Sequence, residues 1–161
     1  MALNAFLRLK GQKQGEFKGS VTQKGREGRI MVNAASHEIV SPRNPASGLP
    51  TGKRLHKPFV IIKEIDRSSP MFYTALATNE NIPEWELQFW QPVMGVGTEK
   101  QYYTIKLLNA SIAGIEFHMP NTRDPDFMKY AEYEEISFTY QKIQWIWTEG
   151  NIVSEDAWEG P

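Results

Sequence analysis

Apolar residues in this chain return at every second position over long stretches, and that period restricts it to a fold built from half-buried strands. Leu3, Ala5, Leu7 and Leu9 alternate with Asn4, Arg8 and Lys10; Ile30, Val32 and Ala34 share one phase, and Phe59, Ile61 and Ile65 follow. Trp85, Leu87 and Phe89 alternate with Glu84, Glu86 and Gln88, giving one apolar and one wet face, the patterning of an antiparallel sheet. Tyr103, Ile105 and Leu107 open another strand, but Ile112 is out of phase with them, and Ile115, Phe117 and Met119 return to the odd positions. A similar slip separates Ile136, Phe138 and Tyr140 from Ile143, Trp145 and Trp147. One extra residue near Gln141 and Lys142 produces it, and such a bulge bends a long strand so that it serves two sides of a barrel. The pattern predicts a mostly β fold, a two-sheet antiparallel β-barrel.

One short α-helix is expected over about residues 70–79. Ser69 suits the N-cap and Pro70 the first helical position; Phe72, Ala75 and Leu76 fall on one face, and Asn79 and Pro83 end the run. A helix this short is marginal by itself and must dock its apolar face on the sheets, across an open barrel end. The connector Ser41–Gly52, S-P-R-N-P-A-S-G-L-P-T-G, carries three prolines and two glycines in twelve residues. It supports neither helix nor central strand, and proline stiffens it into a shaped, projecting arm. Gly11–Gly19 and Gln91–Gly97 read as short turns. The segment from Asn151 to Pro161 reads as an acidic tail whose lone Trp158 packs on the barrel.

The 161 residues fit one domain, residues 1–161, able to bury a core without help from disulfides or metals. There are no cysteines, which removes thiolate metal sites, cysteine nucleophiles and disulfides together and fits folding in a reducing compartment. The apolar runs, such as Phe59–Ile62, are far below a membrane span, so no membrane insertion is expected. Met1–Lys10 lacks the charged start, apolar stretch and small-residue cleavage site of a Sec-type leader, and we expect folding in the cytoplasm.

A net charge of −1 conceals an asymmetry: residues 1–67 hold 13 Lys/Arg against 5 Asp/Glu, whereas residues 68–161 hold 5 against 14. Such halves suit a nucleic-acid surface, or complementary faces that let identical copies associate, or simply intermix when strands from both halves pair. The nucleic-acid reading rests on Lys10, Lys13, Lys18, Lys24, Arg26 and Arg29, with Phe17 as a stacking ring. The overall pI near 6.3 and the acidic second half argue against it.

Catalytic signatures fail on inspection. Gly48 to Arg54 imitates a phosphate loop but has three residues between its glycines, no Ser/Thr after Lys53, and Pro50 where a backbone N–H is needed. His37, His56 and His118 read as structural or surface histidines, although Glu116 lies two residues from His118 on one strand face; a metal-assisted hydrolase would require metal held by that pair. Glu134 and Glu135 point to opposite faces, Asp124 and Asp126 sit in turn chemistry, and no G-x-S-x-G is present. No enzyme activity and no cofactor are expected.

Several ordered stretches resemble the haemolysin-coregulated protein family, Hcp. They are A-F-L-R-L-K-G (Ala5–Gly11), G-x-V-T-Q-K-G-R-E-G (Gly19–Gly28), S-P-R-N-P-A-S-G-L-P-T-G-K-R (Ser41–Arg54) and E-I-D-R-S-S-P (Glu64–Pro70). Y-Y-T-I-K-L-L-N-A-S-I (Tyr102–Ile112), M-P-N-T-R (Met119–Arg123) and Y-E-E-I-S-F-T-Y-Q-K-I (Tyr133–Ile143) extend the match essentially end to end. The resemblance implies a β-barrel of two sheets with one helix, six copies closing into a ring, and rings stacking into the inner tube of the bacterial type VI secretion system. It implies as partners the protein itself, a contractile sheath, a spike, and small effectors carried or chaperoned in the lumen, with assembly in the bacterial cytoplasm followed by export. With the chain ending soon after Trp158, the appended C-terminal effector domain carried by some family members is not expected. The family's arm onto neighbouring copies corresponds here to Ser41, Pro42, Arg43, Asn44, Pro45, Ala46, Ser47, Gly48, Leu49, Pro50, Thr51 and Gly52. Leu49 is the apolar tip of that otherwise polar segment, and Lys53, Arg54 and Lys57 are expected to meet acidic residues of other copies. The competing expectation is a monomeric small barrel that binds nucleic acid or carbohydrate.

Overall fold

The computed structural model describes residues 1–160. Its strands are β1 (Ala5–Gly11), β2 (Gly15–Glu16), β3 (Ile30–Val32), β4 (Ala34–Ser36), β5 (Ile39–Val40), β6 (Leu55–His56) and β7 (Phe59–Glu64), then, after the helix α1 (Ser69–Thr78), β8 (Ile82–Pro92), β9 (Glu99–His118), β10 (Tyr133–Thr139), β11 (Lys142–Trp147) and β12 (Ile152–Ala157). Every pairing is antiparallel, and the hydrogen-bonded order runs β2-β1-β8-β9-β10-β7-β4, with β3 also on β1, and β11 on β9 and β12.

Two corners turn this path into a barrel-like body of two sheets. The 20-residue β9 belongs to both: residues up to Ala110 pair with β8 or β11, and Ser111 to His118 pair with β10. Both phase slips read from its sequence have structural causes. Asn109 adopts a left-handed conformation at φ 51°, and a register shift opposite Ser137/Phe138 leaves Ala113 as one extra residue before Ile115. The partner chain breaks beside the first corner, where β10 stops at Thr139 and β11 starts at Lys142, but Thr139 on Ser111 and Lys142 on Leu108 keep one register, so the bend expected near Gln141 and Lys142 forms without an extra residue relative to β9. Asn81 donates to Asn109 Oδ1 (3.2 Å) and Asn109 donates to Gln141 Oε1 (3.3 Å), tying the bends together. At the other corner the chain passes from β3 in one sheet to β4 in the other, and Asn33 N–H bonds the Ile62 carbonyl at 2.8 Å. The hydrogen-bonded path itself is not closed.

The core follows the alternation: Leu7, Leu9, Ile30, Ile61, Leu87, Leu107, Ile136 and Ile143 are fully enclosed. Edge-to-face rings run through it, Phe17 on Phe72 (5.2 Å between centroids), Phe138 on Trp85 (5.4 Å) and Phe59 on Trp85 (5.1 Å), each geometry contributing about 0.5–1.5 kcal/mol beyond burial. Leu3, Ile65, Phe117 and Met119 keep the expected phase but are exposed, because they lie before β1 or at and beyond the ends of β7 and β9.

The helix forms where its signals place it and buries Phe72 and Ala75. Its N-cap is Ser68 rather than Ser69. Asp66 Oδ1 accepts the Ser68 N–H (2.9 Å), whereas the Ser69 hydroxyl donates to Glu134 (2.9 Å) and accepts from Lys63 (3.0 Å). Asn79, in the left-handed region, closes the last turn as its position predicts. The expected acidic tail is instead β12, an edge strand on β11, as far as Ala157. Pro161 lies outside the described residues.

Candidate functional site

The arm leaves the body between two short strands. Ile39 and Val40 of β5 pair with His56 and Leu55 of β6, and beyond them the chain closes on itself: Thr51 N–H bonds the Pro42 carbonyl (3.0 Å) and Asn44 N–H the Leu49 carbonyl (2.9 Å). Asn44 also accepts the Ala46 and Ser47 amides through Oδ1, at 2.8 and 3.2 Å, and Gly48 at φ 73° turns the tip. The backbone polar groups of the arm are thus largely satisfied within it, and its side chains stand in solvent. Leu49 is 64% exposed. Proline-fixed torsions and a hydrogen-bonded tip make a shape set before any contact is formed, so docking it costs little ordering entropy.

Of the three charges expected at an interface, two have partners in their own chain. Arg54 grips the Asp156 carboxylate of β12 through Nε and Nη2, and Lys57 lies 3.1 Å from Glu38 across the arm's root. Lys53 is exposed. The Arg54 hydrogen bonds hold the Asp156 carboxyl well below the usual range, at about 2. Arg54 therefore joins the basic and acidic halves within one molecule, the intermixing that the charge distribution left open.

The root holds a polar chain that sequence reading did not find. His37, before β5, approaches the Tyr140 hydroxyl through Nε2 at 2.8 Å; His56, in β6, approaches the same hydroxyl through Nδ1 at 2.7 Å and Asp156 through Nε2 at 2.8 Å. Tyr140 is 4% exposed and the His56 side chain is fully enclosed. His56 stacks on Trp158, which packs as expected, and His37 stacks on Phe59. Burial pushes the Tyr140 hydroxyl strongly up and the His37 ring down. His37 and His56 are structural histidines, as expected, but both serve one phenol in the corner between β10 and β11, 103 and 84 residues further along the chain. No spacing signal announces that.

The remaining expectations sort clearly. Phe17 is 1% exposed against Phe72 and cannot stack a base. Arg26 is 8% exposed, its guanidinium between the Phe6 and Trp90 rings at 4.7 and 4.6 Å and paired with Glu99 at 2.6 Å. Two members of the proposed basic, aromatic surface are thereby structural pins. Asp124 caps a short 3-10 turn by accepting the Asp126 amide, and Glu134 is buried while Glu135 faces outward. Glu116, His118 and Glu135 place one donor atom each within 4.8 Å of one another; there His118 faces Glu116 at 3.2 Å and stacks on Tyr133. No described helix is long and apolar enough to cross a membrane.

Fold and site together define a β-domain whose elaborated surface is a projecting arm. The family described as "Type VI secretion system effector, Hcp" matches residues 6–147. The chain is 36% identical to the "Major exported protein" of Pseudomonas aeruginosa, over 100% of this chain and 98% of that one. Among solved structures, one described as "Hcp protein" superposes with a TM-score of 0.89 at 29% identity, covering 98% of this chain and 99% of that one. A mutant form of the Hcp1 protein from E. coli EAEC 042 gives 0.86 at 33% identity, with the same coverage. The chain belongs to the Hcp family of the type VI secretion system. That is a family of structural, secreted tube proteins and not of enzymes.

Proposed function

We propose that this protein assembles with itself: six copies close into a ring, rings stack into the inner tube of the secretion system, and the arm Ser41–Gly52 forms contacts between copies. The supporting observation is the arm's geometry, a self-closed hairpin standing away from the body with Leu49 at its tip. An exposed leucine on a pre-shaped segment gains about 1.5–3 kcal/mol when a neighbour covers it, and a closed ring makes that contact once per subunit. In this reading exposed Lys53 is the arm-root charge that meets an acidic residue of another copy, whereas Arg54 and Lys57 pair within their own chain.

In this reading the tube is built in the bacterial cytoplasm, engages a contractile sheath and a spike, is itself exported, and carries or chaperones small effectors in its lumen. The relative named "Major exported protein" supports the export step. Native mass spectrometry tests the assembly. A sixfold species is expected for the full chain, and its loss is expected when Asn44–Leu49 is replaced by a short glycine turn; a protein that is monomeric at high micromolar concentration overturns the reading.

A further inference from the structure

The chain at the arm's root has a definite capacity for protons. Asp156 accepts the His56 Nε2–H, which leaves Nδ1 as an acceptor for the Tyr140 O–H; the phenol oxygen then accepts the His37 Nε2–H. With both imidazoles neutral, every donor along this line has an acceptor. One added proton is absorbed by reversal: His56 donates from both nitrogens, and Tyr140 turns its O–H to His37 Nε2. A second proton has no place. Both rings would then donate to Tyr140, its O–H would lose its acceptors, and two cations would flank one buried phenol whose ring lies 5.8 and 5.5 Å from theirs.

The surroundings offer one relief, a backbone hydrogen bond to Lys57 that favours a charged His37 ring, but burial and the neighbouring His56 outweigh it. Arg54 faces Asp156 from β6's approach and already neutralises that carboxylate, and Lys57 and Glu38 pair with each other in solvent. The remaining faces are Phe59 from β7 and Trp158 after β12. His37 enters from the outgoing leg of the arm and His56 from the returning leg, so this one hydroxyl fixes both legs to the barrel corner after β10.

We propose that the His37–Tyr140–His56–Asp156 chain is a proton-operated clamp on the arm, closed with up to one added proton and opened by the second, so that mild acid frees the arm's root and weakens assembly. The assembly clause rests on the arm's proposed role; the clamp itself does not.

Hydrogen exchange on the full-length protein tests it, read at the Lys57 amide, which bonds the Glu38 carbonyl across the root, with the Asn33 amide on Ile62 as a barrel control. After correction for intrinsic exchange, Lys57 protection is expected to fall about tenfold or more between pH 7.5 and 5, with Asn33 unchanged. Tyr140→Phe, which keeps the ring packing, is expected to show low Lys57 protection at pH 7.5 and no step. His37→Gln, which removes the site of the second proton, is expected to abolish the step while retaining protection. Wild-type protection that is flat from pH 8 to 4.5, or a wild-type step preserved in Tyr140→Phe, overturns the clamp. Native mass spectra at the same two pH values separate the readings: a falling Lys57 protection with unchanged oligomers supports the clamp and refutes the arm's role in assembly.

Discussion

Lys63 Nζ lies 3.0 Å from Glu134 Oε1, and both side chains are completely enclosed between β7 and β10. The ammonium also donates to Asp66 and to the Ser69 hydroxyl, so the pair fastens the start of α1 to the sheet. It occupies the inward phase that Phe59 and Ile61 define, where an apolar residue would ordinarily stand.

Removing one member of this pair should be far worse than removing both. Lys63→Met leaves the Glu134 carboxylate buried without its counter-charge and is expected to destabilise by about 3–5 kcal/mol, whereas the double variant Lys63→Met with Glu134→Leu should recover most of that loss. Urea unfolding of the three proteins reads the cycle. Equal destabilisation in single and double variants would show that the charges do not compensate each other.

Leu49→Asp should leave the fold intact, since the side chain touches solvent, and should move the protein toward monomer in sedimentation velocity. Unchanged oligomers at micromolar concentration would remove Leu49 from the contact.

Acid should unfasten Asp156 in a defined window. Its carboxyl sits at about 2, against an ordinary 3.8, chiefly through the Arg54 hydrogen bonds. A depressed carboxyl contributes stability that is present above pH 3.8 and lost as the pH falls from 3.8 to about 2. The thermal midpoint of wild type should therefore drop faster across this interval than that of Asp156→Asn; parallel curves would contradict the assignment.

Asn109 sits at φ 51° inside β9, where the strand passes from one sheet to the other. A β-branched residue there meets a steric penalty of about 1–2 kcal/mol that glycine escapes. Asn109→Val should be less stable than Asn109→Gly by that amount in denaturant unfolding, although both lose the hydrogen bonds to Asn81 and Gln141. Equal stabilities would mean that the bend tolerates ordinary extended backbone.

Much of the architecture was legible because it is written in local periods. Alternation placed Leu7, Leu9, Trp85 and Leu87 inside, the broken phase around Gln141 marked a bend, Asn79 marked the end of α1, and Pro42, Pro45 and Pro50 announced a stiff arm. These signals depend on neighbours a few residues apart, whose geometry the backbone itself imposes. The strand character of Ile152–Ala157 was missed, because an exposed edge strand with polar and apolar residues mixed carries no such period.

The polar interior was decided only by tertiary structure. His37 and Tyr140 are separated by 103 residues and His56 and Asp156 by 100, and nothing in their spacing requires them to meet. They meet because β9 bends at Asn109, β10 and β11 part beside it, and β12 returns along β11, bringing the corner and the edge strand to the arm's root. Sequence sets which face each side chain takes on its own strand; which strands become neighbours, and hence whether a buried histidine, lysine or glutamate finds a partner, is settled by the packing of the whole chain.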